Sequence, residues 1–115
     1  MIRITSIAVA FAGSVVFGIP LASPAAAQAC KSGFVWREAR PSDLVCVTPE
    51  SRERVREENA TASQRVQPGG GNSGPFTCRS GFVWREAFDG DVVCVTPEVR
   101  TLVREENRVA ASRRQ

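Results

Sequence analysis

Four cysteines and twelve acidic side chains are the groups in this 115-residue chain that could do chemistry, and their company limits which chemistry. The chain has no histidine and no tyrosine, and its one lysine is Lys31. A serine or cysteine nucleophile therefore has no imidazole to take its proton, and no Cys/His zinc set can be assembled. Two carboxylates can hydrolyse a glycosidic bond, but here each has arginines close in sequence, which favours ion pairing over acid catalysis, and the chain is too short for a cleft-sized scaffold. Asp89-Gly90-Asp91 is a fragment of a calcium loop without the further oxygen ligands that such a loop needs. The expectation is a non-enzymatic protein with no catalytic residues, no metal and no cofactor.

The cysteines instead mark a duplication. Residues Cys30 to Asn59 recur 48 positions later as Cys78 to Asn107, with 22 of 30 positions identical and no gap. Cysteines in a short exported chain read as disulfides, and four of them allow three pairings. A duplicated unit that folds by itself must close its own bridge, which selects Cys30–Cys46 and Cys78–Cys94. Each such loop should stabilise its unit by roughly 3 kcal/mol, and units below about 40 residues rarely hold without a staple.

Stepping outward from each first cysteine, Phe34-Val35-Trp36-Arg37-Glu38-Ala39 and its copy Phe82 to Ala87 read as a strand with the aromatic rings on one face. Arg40-Pro41-Ser42-Asp43 and Phe88-Asp89-Gly90-Asp91 carry turn chemistry. Leu44 to Val47 and Val92 to Val95 give the return strand, so that the disulfide clamps the open end of a hairpin. Thr48-Pro49-Glu50 and Thr96-Pro97-Glu98 then open a helix: a hydroxyl N-cap, a proline at the first helical position and an acid at the positive end of the dipole. The helices are predicted to run to about Ala62 or Ser63 and into the C-terminal tail, laid over the Phe/Trp face of the hairpin.

The fold class is thus α+β: two tandem ββα modules, each closed by one disulfide. The expected organisation is a signal peptide over 1–27, module 1 over 28–66, a Gly/Pro-rich linker over 67–76, and module 2 with a basic tail over 77–115. The leader reading rests on Arg3, the apolar run Ile4 to Ile19 and the small residues Ala25-Ala26-Ala27. That run is shorter than the roughly 20 residues needed to cross a bilayer, so no membrane span is expected after cleavage, and the chain is expected outside the cell or in the periplasm. The linker, Gln67 to Pro75, reads as flexible. It spans roughly 16 Å on average and leaves the modules free to move independently.

Charge argues for no nucleic-acid partner. The net charge is +3, but its positive excess lies outside the repeats, at positions such as Arg65, Arg108, Arg113 and Arg114, whereas a nucleic-acid binder concentrates charge on its folded face. The differences between the copies fall at the turn tips and on the helices: Arg40 against Phe88, Ser51 against Val99, Arg54 against Leu102. The blocks SGFVWREA, VCVTPE and VREEN are untouched. Phe34, Val35, Val45, Val47 and Val55 are core candidates. Arg52 and Arg56, like Arg100 and Arg104, stand one helical turn apart, a like-charge spacing that calls for a carboxylate partner, with Glu38 or Asp43 the nearest. Trp36, Arg37 and Glu38, repeated as Trp84, Arg85 and Glu86, form the candidate binding face.

With these residues in view, the chain resembles a two-cysteine repeat module of exported bacterial proteins. The shared pattern is C-x-x-G-[FY]-V-W-R-E-A, a turn and an Asp, V-C-V-T-P, then an Arg and a closing E-N; both copies match it throughout. The resemblance implies secreted, disulfide-bearing repeats used alone, in tandem or attached to other extracellular domains, and carries no activity or ligand residues with it. The expected function is bivalent binding of an extracellular or envelope polysaccharide, or of an extracellular protein. The alternatives are a structural or stress-related envelope protein without a small ligand, and an inhibitor of a secreted hydrolase that works through its turn tips.

Overall fold

The computed structural model describes residues 29–115, so the signal peptide expected over 1–27 lies outside the described residues. Each repeat forms a short antiparallel hairpin followed by a helix. In the first, β1 (Val35–Trp36) pairs with β2 (Cys46–Val47), Val35 opposite Val47 and Trp36 opposite Cys46, and leads into α1 (Pro49–Ala60). In the second, β3 (Val83–Trp84) pairs with β4 (Cys94–Val95) in the same register and leads into α2 (Pro97–Val109). The disulfides are Cys30–Cys46 and Cys78–Cys94, with Cα–Cα separations of 5.6 and 5.7 Å. They mark a protein made for an oxidising compartment. No helix of the described residues is long and apolar enough to cross a membrane.

Both helices begin where the cap signals put them. The Thr48 hydroxyl accepts a hydrogen bond from the Ser51 N–H at 3.2 Å and Thr96 accepts one from Val99 at 3.3 Å, a cap that contributes about 1 kcal/mol. Each helix tightens into a 3₁₀ turn at its C-terminal end, Ala62–Arg65 in the first repeat and Ala110–Arg113 in the second.

The repeats are not independent. Ala39 and Val55 of the first repeat and Ala87 and Val103 of the second form one buried cluster, with Phe88 and Val99 packed against it. A single repeat has too little apolar surface to close a core of its own, and pooling two removes that deficit. The chain also closes on itself at its ends. The segment after α1 runs antiparallel to the start of repeat 2, with Val66 opposite Cys78, Gln67 N–H donating to Thr77 O at 2.7 Å and Arg79 N–H to Arg65 O at 2.8 Å. The segment after α2 does the same to repeat 1, with Cys30 opposite Arg114, Lys31 N–H donating to Arg113 O at 2.8 Å and Gln115 N–H to Ala29 O at 2.9 Å. Each repeat's tail is thus clipped to the other repeat's first cysteine, a twofold-like exchange.

The glycine-rich segment is folded, contrary to the flexible tether expected. Gly71 and Gly74 exchange backbone hydrogen bonds at 3.1 and 3.0 Å around an Asn72-Ser73 tip. Gly70, at φ +80, is positioned so that a Cβ would lie 2.9 Å from Gly74 O; only glycine fits there. These glycines serve compact turns, not chain freedom.

Candidate functional site

The inward face of each hairpin is set by an arginine and an aspartate. Arg37 donates from Nε and Nη2 to Asp43 at 2.8 and 3.3 Å, and Arg85 does so to Asp91 at 2.8 and 3.2 Å. The same carboxylates also accept backbone N–H bonds, Asp43 from Ala39 and Val45, Asp91 from Ala87 and Val93. One aspartate therefore holds both sides of its turn and a guanidinium. That accounts physically for the repeated R-E-A-x-x-x-D-x-V spacing. Reaching this geometry requires a kink, and Glu38 and Glu86 both adopt the left-handed region, at φ 58 and 57.

Both arginines then cross to the other repeat. Arg37 Nη1 donates to Asn107 Oδ1 at 2.8 Å and lies 3.7 Å from Glu106. Its Nη2 donates to Ala87 O at 3.2 Å. Arg85 Nη1 donates to Asn59 Oδ1 at 3.0 Å and to Glu58 Oε1 at 3.2 Å. Arg54 bridges both glutamates, donating to Glu58 at 3.0 Å and to Glu106 at 3.1 Å. Arg37 and Arg85 are 1 % and 0 % exposed, and Asp43, Asp91, Glu58 and Glu106 are buried with them. Three guanidiniums thus face four carboxylates in the middle of the molecule, and Glu106 Oε2 is buried without a hydrogen-bond partner.

The candidate face read from sequence is therefore split by strand alternation. Arg37 and Arg85 are interior groups, each making four hydrogen bonds within the fold, unable to meet a surface ligand. Glu38 and Glu86 are exposed, while Trp36 and Trp84 are half-buried. The interior side of the hairpin is the Arg37/Ala39 side, not the Phe34/Trp36 side. Of the expected core, Val47 and Val55 are fully buried, and Phe34, Val35 and Val45 only half so. The carboxylate partner sought for the helix arginines is Glu86 in repeat 2, 3.8 Å from both Arg100 and Arg104. In repeat 1, Arg56 pairs with Glu53 at 3.4 Å instead, and Arg52 has no ion pair among the described residues.

What the structure gathers at the surface is a different set of residues. Cys30, Phe34, Val35, Trp36 and Arg52 line a shallow cavity of about 280 Å³. Their counterparts Cys78, Phe82, Val83, Trp84 and Arg100 line one of about 240 Å³, with Glu86 at its rim. Each groove is completed by the other repeat's tail: the Arg113 guanidinium lies 4.7 Å over the Phe34 ring, and Arg65 lies 5.5 Å over Phe82. The result is a cluster of two arginines, a phenylalanine and a tryptophan, built twice. A larger cavity of about 540 Å³ runs along the second turn past Phe88 to Val92 and has Trp84 as one wall. The Trp84 indole N–H donates to Phe76 O at 2.9 Å, which fixes that ring in place. Sequence reasoning missed Arg52 and Arg100 as groove residues. Their recurrence was visible, but their proximity to Trp36 and Trp84 depends on how the helix lies on the hairpin.

The turn tips meet one another, with the Arg40 guanidinium 4.2 Å from the Phe88 ring centroid. Elsewhere on the surface, Arg108 is hydrogen-bonded to Glu105 and holds that carboxyl below its ordinary range.

No family model matches the chain, and no curated protein and no solved structure is found similar to it.

Proposed function

We propose that this chain is an exported, non-enzymatic binding protein that presents one groove twice to an acidic polysaccharide. The observation that carries the reading is the recurrence of the same cluster of two arginines, a phenylalanine and a tryptophan in both repeats of a single packed unit. A half-exposed indole offers an apolar face to a sugar ring, and flanking guanidiniums supply bidentate, charge-assisted bonds to carboxylate or sulfate groups on the same ligand. Trp36 and Trp84 keep the part assigned to them from sequence, while Arg52 and Arg100 take the part assigned to Arg37 and Arg85. Export is supported by the two disulfides and by the leader-like sequence of residues 1–27. The missing imidazoles, the absence of a free cysteine among the described residues and the commitment of the buried carboxylates to ion pairs support a role without catalysis.

Two grooves on one packed unit gain from a repetitive ligand without any further contact, by roughly 10²-fold or more when both engage. The test is retention of the mature chain on uronate-bearing and neutral polysaccharides, with Trp36→Ala, Trp84→Ala and the double variant alongside. Retention on the acidic polymer should weaken with salt, fall by about 10²-fold when one groove is lost, and vanish when both are. A wild-type chain that is retained on neither polymer would leave the structural, ligand-free reading in its place.

A further inference from the structure

The interface between the repeats holds a second piece of information. Residue n of repeat 1 stands where residue n + 48 stands in repeat 2. Near the twofold-like axis, therefore, each side chain faces the counterpart of itself: Val55 and Val103 share the core, Arg40 lies on Phe88, and Arg54 spans Glu58 and Glu106. In a pair of two like repeats, the residues opposite each other would be the same residue.

The copies differ at and beside this interface. Arg40 has become Phe88, Arg54 has become Leu102, and Ser51, which accepts a bond from Arg54 at 3.2 Å, has become Val99, which packs on the shared core. Two copies of repeat 1 would set Arg40 against Arg40, exchanging a cation–π contact for like-charge repulsion. Two copies of repeat 2 would keep Asp91 and Glu106 twice over, four carboxylates, with only the two Arg85 side chains to face them. The unlike pair avoids the first problem and places Arg54 where it relieves the second. Leu102, 42 % exposed, is left unused on the second helix.

We propose that the face joining the repeats is a repeat-to-repeat docking surface, and that its sequence differences select an unlike partner, with repeat 1 accepting repeat 2 and rejecting its own copy. The partner that fits this face is a second two-cysteine repeat of complementary type, whether on the same chain or on another copy of it. Divergence between the duplicates is then negative selection against the wrong pairing, since discrimination needs a repulsive element against the competitor as well as attraction to the partner.

The test begins from the folded full chain. A site for a sequence-specific protease is inserted between Asn72 and Ser73, an exposed tip; the insertion opens the Gly71–Gly74 turn and lies apart from the side chains that join the repeats. After cleavage with the disulfides intact, native mass spectrometry should show the halves still joined one to one. The cleaved protein is then unfolded in denaturant without reductant and diluted to refold, and the pairs are counted. Unlike pairs should exceed either like pair by at least about tenfold. Two variants move the balance in known directions: Arg40→Phe should raise repeat 1 homodimers, and Leu102→Arg should raise repeat 2 homodimers. A statistical mixture, with half of the pairs unlike, would overturn the proposal, as would folded halves that separate after cleavage.

Discussion

Replacing Arg85 by Met asks directly what the buried network does. The guanidinium is fully buried and makes four hydrogen bonds: two to Asp91 (2.8 and 3.2 Å), one to Glu58 (3.2 Å) and one to Asn59 (3.0 Å). Methionine fills much of the same space but donates nothing. Asp91 would keep only the backbone N–H groups of Ala87 and Val93, and Glu58 only Arg54. A buried carboxylate that loses its cation typically costs 3–5 kcal/mol. The 87 described residues hold a fold whose whole stability is on the order of 5–13 kcal/mol. The expected result is a fall of roughly 1 M in the guanidinium chloride midpoint, followed by tryptophan fluorescence with the disulfides intact. Arg104→Met is the control: that side chain is 63 % exposed and 3.8 Å from Glu86, and its loss should cost less than about 1 kcal/mol. Trp84→Phe and Trp36→Phe backgrounds let each repeat report by its own ring. Because Arg85 reaches into repeat 1, both rings should report the same lowered midpoint. The reasoning fails if Arg85→Met behaves like Arg104→Met, or if only the repeat 2 ring shifts.

Two further outcomes follow from local geometry. Glu38→Gly should leave stability unchanged or raise it by up to about 1 kcal/mol, whereas Glu38→Val should lower it by more than that, because φ 58 is left-handed backbone that costs any L-residue and a β-branched one most; thermal unfolding of the pair decides. Glu105 should titrate below an ordinary glutamate, chiefly through its hydrogen bond from Arg108 and secondarily through the charges of Arg108 and Arg113. A depressed folded-state value means that the pair's contribution is present above the unfolded value and lost as pH falls through the folded one. In Arg108→Gln the side-chain carboxyl resonance of Glu105 should move its midpoint upward, toward that of an ordinary glutamate.

The local elements were legible because their causes are local. Threonine, proline and glutamate in sequence make a helix start whatever lies across from them. Alternation bounded by turn residues makes a hairpin, and the duplication decides the disulfide pairing because each bridge closes within its own copy. Legibility ended where a side chain's partner lies in the other repeat. Arg37 reads as a surface charge beside Trp36. It is interior because Asn107, Glu106 and the Ala87 carbonyl wait for it 50 to 70 residues away in sequence. The glycines read as a tether, and the backbone uses their positive φ for a folded turn.

By itself, then, the amino-acid sequence determined two stapled ββα units, their helix caps and their poverty in catalytic groups. Each of these depends on residues within one 30-residue copy. Only the tertiary structure decided that the two copies are halves of one unit, that Arg37 and Arg85 are interior, and that Arg52 and Arg100 stand beside the tryptophans. The physical reason is the shortage of apolar surface in a single copy. Val55 and Ala39 cannot close a core alone, so they take Val103 and Ala87 from the duplicate, and the charges brought inward with them find their partners across that same interface.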